Sequence, residues 1–484
     1  MVYVILILYI ALTFLTSLRG TRALNRTPEG YFLAGRNLGT LALFFTIIAT
    51  NFSAFYFLGF AGEGYRVGFP YYVVMAFGTA FACLSFFFIG EKAWHLGKTH
   101  GYITPSELVY GQTGSRPLRW LFAVIMIVFT FPYLALQLIG AGYLLENMTG
   151  GEIPYFLGAA ILTLFTIGYV LLGGMRSVAS TDLKQGLLMM LLMLAAVIWI
   201  AHALGGFTSA QQQVFERLPD LFRRTGVDGT YTPQKWFSLL IFWLFCIPMF
   251  PQIFMRFFVG RGPSQLRKSA VLYATIPLII SIFPVLIGLM GHVTFPELTG
   301  READQILPMM LVEHCPEWFA ALVMTGALAA FMSTLDSQLL ALSTIVTRDL
   351  VLPFRPGTSM RGQVRIGRIF VVLFALVGLI IAWQPFDTIF DMGKLAFSGL
   401  AVLFPPTLAI LYYHKIPKSA SIVCVILGET LLLLFYYNVL PASWLLGFEP
   451  AIVILALEGL ILAAPVIWQR LGAIRSRGHR RPGS

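Results

Sequence analysis

Stretches of about twenty apolar residues recur along the whole chain, and a run of that length with few charges admits few structures. They fall at 2–18, 40–61, 71–93, 119–147, 155–174, 182–204, 236–256, 270–293, 318–347, 366–384, 394–413, 418–438 and 449–469. Lipid tolerates only segments whose backbone is satisfied internally, which leaves helices or closed barrels. The runs are continuous and lack the alternation of barrel strands, so they predict helices. Charged residues make up only 11% of 484 positions and hydrophobic ones 58%. The expected fold is an all-α polytopic membrane protein of about thirteen transmembrane helices. The net charge of +11 then reflects membrane topology and does not point to nucleic acid.

The basic residues divide unevenly between alternate connections. One set, with the C-terminal tail, holds 25 Lys and Arg, Arg256 among them; the other holds six, Arg66 and Arg301 included. By the positive-inside rule the N-terminus is expected outside and the C-terminus in the cytoplasm of a multi-pass cell-membrane protein. The longest connection, 206–235, is expected outside. Segment 2–18 has no basic region before it and is read as a retained span, not a cleaved leader. The tail after Arg470 is read as an anchor at anionic headgroups. Cys83, Cys246, Cys315 and Cys424 show neither a disulfide framework nor metal spacing, and the histidines lack paired spacing.

One helix-length stretch carries the wrong residues for lipid. From Ala327 to Leu350 the chain reads ALAAFMSTLDSQLLALSTIVTRDL. At about 100° per residue, Ala330, Ser333, Thr334 and Ser337 share one face and Asp336 flanks it. A mid-bilayer Asp costs about 2.5–3.5 kcal/mol on insertion scales and normally faces a cavity or a partner. Hard cations such as Na⁺ take oxygen ligands, so this face reads as half of a cation site.

Four other places offer the remainder. Ala49, Thr50, Asn51, Phe52 and Ser53 interrupt the apolar run 40–61; unwinding there frees carbonyls for a cation, while close helix packing is the alternative. Asp182 follows a Gly-Gly pair and reads either as a helix-start cap or as a cation ligand opposite the hydroxyl face. Pro248 and Pro251 break the run 236–256, with Trp243, Phe250 and Gln252 around the break. Gln137 is a lone amide on an apolar run, either a helix–helix hydrogen bond or a solute contact.

YFLAGRNLG (31–39), ATNFS, LLGGMRS (171–177), STDLKQ (180–185) and AAFMSTLDSQ (329–338) together resemble the sodium:solute symporter family. The resemblance implies a leucine-transporter-like core of two inverted five-helix repeats. Here it divides the chain into a leading helix and loop (1–37), a first repeat (38–205), the external loop (206–235), a second repeat (236–414), and two trailing helices with a basic tail (415–484). It implies one sodium site at Ala49, Phe52, Ala330, Ser333 and Thr334, and a possible second at Asp182, Asp336 and Ser337. Solute contacts are expected from Asn51, Ser53, Gln137, Trp243 and Gln252. The family's proline carriers have Asp where this chain has Asn51 and Tyr where it has Ile247, and many members have a small residue in place of Asp336.

The expected function is Na⁺-coupled uptake of a small organic solute, such as an amino acid or monocarboxylate, by alternating access. The alternatives are the same carrier driven by protons and, further off, a solute sensor. No enzymatic activity, no cofactor beyond Na⁺ as coupling ion, no nucleic-acid partner and no obligate protein partner is expected; the partners are solute, Na⁺ and the bilayer.

Overall fold

The computed structural model describes residues 1–19, 28–173, 175–413 and 417–478. Arg22, Arg26, Gly174, Lys415 and the last residues of the basic tail lie outside them, as do the side chains of Arg176, Arg470, Arg475 and Arg477. The side chains of the assigned headgroup anchor therefore fall outside the described residues.

The described chain is helical; its only strand-like pairing is one isolated parallel bridge between Leu38 and Gly260. The main helices are α1 (Val2–Arg19), α2 (Thr40–Asn51), α3 (Phe60–Val67), α4 (Pro70–Ser85), α5 (Arg116–Met148), α6 (Tyr155–Gly173), α7 (Met175–Ala203), α8 (Pro233–Cys246) and α9 (Pro251–Phe257). They continue with α10 (Pro263–Ile280), α11 (Ile282–Thr294), α12 (Glu317–Ile345), α13 (Met360–Trp383), α14 (Ile389–Ala401), α15 (Phe404–Tyr412), α16 (Lys418–Tyr436) and α17 (Pro450–Gly478). Eight helical stretches are long and apolar enough to cross a membrane unaided. Two more form bent pairs, α2 with Phe55–Val67 at 60° and Pro233–Met249 with α9 at 67°, and three shorter apolar helices accompany them.

Each bend has a local cause. Phe52 leaves helical geometry at φ −82, ψ 97, which ends α2. The amide freed at Ala54 is taken up by Gln137 Oε1 at 2.9 Å, and that of Phe55 by Ser53 Oγ at 3.2 Å. In the second pair, Phe250 precedes Pro251 and is extended at φ −59, ψ 124. Proline's ring excludes the α region for the residue before it, so the helix must stop there. The Leu38 bridge then ties the chain just before α2 to the chain just after α9, through Leu38 N–H to Val259 O at 3.2 Å and Arg261 N–H to Leu38 O at 3.0 Å. The start of one broken helix thus lies against the end of the other.

Ion pairs brace the two ends of the bundle. Arg66 on α3 bonds Glu63 at 2.8 Å and Asp304 at 2.9 Å, and Asp304 in turn accepts the Ile389 amide that opens α14. At another point Arg119 on α5 bonds Asp349 at 2.8 Å while Arg348 bonds Glu107 at 2.6 Å.

The second half of the first broken helix packs backbone to backbone. A Cβ built on Gly288 in α11 would lie 2.1 Å from Ala61 O, and one on Gly64 would lie 2.9 Å from Val285 Cα. Membrane helices gain stability from such close approach, because lipid supplies no hydrophobic drive between them. Gly288→Ala is expected to cost about 1–3 kcal/mol through overpacking. It should lower the thermal midpoint of the purified protein, whereas Gly168→Ala, where a new Cβ meets nothing within 4 Å, should leave it unchanged.

Candidate functional site

The hydroxyl face of α12 is wholly buried against the end of α2. Ser333 Oγ lies 2.8 Å from Ala49 O and 2.9 Å from Ala330 O, with one proton to donate between them, and Thr334 Oγ1 lies 3.4 Å from Ala49 O. Phe52, three residues beyond Ala49, is where α2 ends. The structure brings Ala49, Ala330, Ser333 and Thr334 together as a set of oxygens with no nitrogen or sulfur among them. Such a set suits a hard monovalent cation, because each hydroxyl can turn its lone pairs inward once it stops donating to a carbonyl.

One turn further along α12 the arrangement changes character. Arg256, on α9, is fully buried. Its guanidinium reaches Asp182 Oδ2 at 3.2 Å, Ser337 Oγ at 2.6 Å, Thr46 Oγ1 at 3.0 Å and Gln252 O at 2.9 Å. Thr46 also donates to Asp182 Oδ2. Asp336 accepts from Tyr169 at 2.9 Å and from Ser337 at 3.1 Å. A positive charge supplied by the chain itself therefore lies among Asp182, Asp336 and Ser337, joining α2, α7, α9 and α12. Asp182 Oδ1 is buried without a hydrogen-bond partner among the described residues.

This corrects two readings of the sequence. Arg256 does not belong to a basic connection: α9 restarts at Pro251, so Arg256 lies five residues, about 8 Å of helix, beyond a mid-span break. Asp182 does not cap a helix start, because α7 begins at Met175 and carries Asp182 two turns inside.

Between the two breaks lies a small cavity. Asn51, Phe52, Tyr133, Trp243, Phe250 and Phe397 form much of its wall, with Thr79 and Ser281 adding hydroxyls. Phe397 holds the aromatic side together, with ring centres 4.8 Å from Tyr133, 4.9 Å from Phe250 and 5.6 Å from Trp243. The Asn51 amide donates to Tyr273 at 2.6 Å. The Trp243 indole N–H is buried with no acceptor among the described residues.

Of the five residues assigned to the solute, Asn51 and Trp243 line this cavity. Ser53 and Gln137 serve the break instead, and Gln137 closes its own account by donating to Tyr133 O at 2.8 Å. Gln252 is buried in α9 with neither side-chain polar atom hydrogen-bonded among the described residues, and it is not part of the cavity wall. Thr46, Thr79, Tyr133, Tyr169, Arg256, Tyr273, Ser281 and Phe397 are contributors that sequence reading missed. Only Arg256 carried a signal, as a charge too close behind a double-proline break to have left the membrane.

The sodium:solute symporter family model matches residues 31–428. The chain belongs to this family. It is a Na⁺-coupled symporter of a small organic solute, and a multi-pass membrane protein. The sodium/pantothenate symporter of Escherichia coli K12 is 28% identical to it over 448 residues, which cover 91% of this chain and 90% of the relative. The high-affinity proline transporter of Bacillus subtilis is 23% identical over 467 residues, covering 92% and 96%. Among solved structures, a Na⁺-coupled sialic acid symporter in a substrate-bound outward-open state aligns with a TM-score of 0.78 at 18% identity, over 96% of this chain and 98% of that one. That likeness carries the fold: the helices adopt the leucine-transporter-like arrangement.

Proposed function

We propose that the symporter couples one Na⁺ per cycle to inward movement of its solute, the ion being held by Ala49, Phe52, Ala330, Ser333 and Thr334. The observation that carries this reading is the convergence of two hydroxyls of α12 on the carbonyl of Ala49, at the end of a broken helix. An ion there ties α2 to α12. It biases the alternating-access equilibrium to the extent that it binds one state more tightly than the other. The inverted repeats 38–205 and 236–414 each open with one of the broken helices, and the Leu38–Gly260 bridge joining them supports that division. The termini follow the basic-residue bias, with the N-terminus outside and the C-terminus in the cytoplasm.

The second position is read as filled by the Arg256 guanidinium. Asp182, Asp336 and Ser337 then anchor an arginine and do not ligate a second ion, supported by the 3.2 Å and 2.6 Å contacts described above.

Uptake into proteoliposomes under a Na⁺ gradient tests both statements. Uptake should vanish when Na⁺ is replaced by K⁺ or choline, and persistence under a pH gradient alone would favour a proton-driven carrier. The Hill coefficient for Na⁺ is expected to be about 1, since it can exceed that only with further coupled sites. A value near two would return Asp182, Asp336 and Ser337 to the ion.

A further inference from the structure

We propose that the transported solute is a monocarboxylate without an ammonium group. Its carboxylate would lie beside Na⁺ and the Trp243 indole N–H, and its uncharged body against the rings of Phe55, Phe250 and Phe397. This inference rests on the reading that Na⁺ binds at Ala49, Phe52, Ala330, Ser333 and Thr334.

Three observations lead to it. No residue lining the cavity is acidic or basic. The buried carboxylates Asp182 and Asp336 are engaged with Arg256, Thr46, Tyr169 and Ser337, and Glu63, one turn beyond the wall residue Phe60, is paired with Arg66 as is Asp304; none of the four takes part in the wall. Asn51, whose amide is committed to Tyr273, stands between Ala49 and Phe52 in the chain, so an ion on those two carbonyls lies next to the cavity wall.

A solute ammonium would therefore enter a largely aromatic space with no carboxylate in its wall to pair with and with a like charge beside it. Burying a charge unpaired is costly. A carboxylate meets the opposite case. It neutralises the ion and gives the indole N–H the acceptor it lacks, and a buried donor left unsatisfied is itself unfavourable. The phenylalanine rings and Met75 take an apolar or hydroxylated chain without a further charge. A methylated ammonium is the competing occupant, since aromatic faces attract such cations. The neighbouring ion disfavours it, and the experiment includes it.

The test is thermal stabilisation of the purified full chain in Na⁺ or in K⁺. The probes are matched: acetate through hexanoate, lactate, pyruvate and pantothenate, against 2-aminobutyrate, alanine, proline and glycine betaine. At least one monocarboxylate is expected to raise the unfolding midpoint in Na⁺ only, and to bind at least tenfold more tightly than its amino counterpart. Equal or tighter binding of an amino acid or betaine overturns the proposal, as does the absence of any Na⁺-dependent shift across the monocarboxylates. Stabilisation by Na⁺ alone, and its loss in Ser333→Ala, is read separately. An intact Na⁺ response with the wrong solute preference therefore removes this inference and leaves the ion site standing, whereas a missing Na⁺ response removes the ion site. Asn51→Asp places a carboxylate in the wall at constant shape. It is expected to weaken monocarboxylate binding at least tenfold with the Na⁺ response retained, and unchanged monocarboxylate binding overturns the proposal.

Discussion

Arg256→Ala is expected to abolish uptake and to destabilise the fold by about 3–5 kcal/mol, the usual consequence of removing one partner from a buried ion pair. The loss has two parts. Asp182 would be left buried and charged without its counter-ion, and the shared tie between α2, α7, α9 and α12 would be gone. Arg256→Lys should restore little, because a single ammonium cannot reproduce a planar fork that spans Thr46, Asp182 and Ser337 at once. The double variant Arg256→Ala with Asp182→Asn should recover part of the stability, since it removes the orphaned charge as well. The measurement is the thermal midpoint of each variant beside its uptake in proteoliposomes. A wild-type midpoint in Arg256→Ala would mean that the guanidinium holds nothing together.

The second large effect is expected at the ion. Ser333→Ala removes one hydroxyl from the set around Ala49 O. A hydrogen bond or ligand contact to a charged group is worth about 1.5–3 kcal/mol, which corresponds to a rise of about 10–100-fold in the Na⁺ concentration for half-maximal uptake. Thr334→Ala, at the longer 3.4 Å contact, should act in the same direction, and Thr334→Ser should be close to wild type because it keeps the oxygen. Solute affinity measured at saturating Na⁺ should change far less than the Na⁺ requirement. If Ser333→Ala keeps the wild-type Na⁺ curve, the ion does not bind there.

The helical class, the two breaks and the α12 oxygen face were legible because each is written in local chemistry. Apolar length specifies a spanning helix. Pro251 ends a helix at Phe250 wherever it stands in an apolar run. Ser333, Thr334 and Ser337 share a face by helical period alone. What escaped was contact at long sequence separation. Gln137 looked equally suited to a solute and to a neighbouring helix, and only the position of the Ala54 amide, 83 residues away, decides between them. Tyr133, Tyr169 and Tyr273 are ordinary core aromatics in sequence; their hydroxyls gain meaning from Ser53, Asp336 and Asn51. Arg256 was misread for a different reason. The positive-inside rule treats an arginine at the end of an apolar run as one that has emerged from the membrane. A helix bent by 67° does not advance through the bilayer as its residue count suggests.

An ion performs work in a transport cycle only by crossing the membrane, and a guanidinium tethered to α9 does not cross. With one Na⁺ and one carboxylate moving together, each turnover is electrically silent. Accumulation then halts when the solute ratio equals the Na⁺ ratio: a tenfold Na⁺ gradient supplies about 1.4 kcal/mol and concentrates the solute about tenfold. A mobile ion in place of Arg256 would double the chemical term and add about 2.3 kcal/mol for every 100 mV of membrane potential. On the proposed cycle, with that second charge kept as part of its own chain, the carrier would have a low ceiling and would run backwards as soon as the solute inside exceeded it.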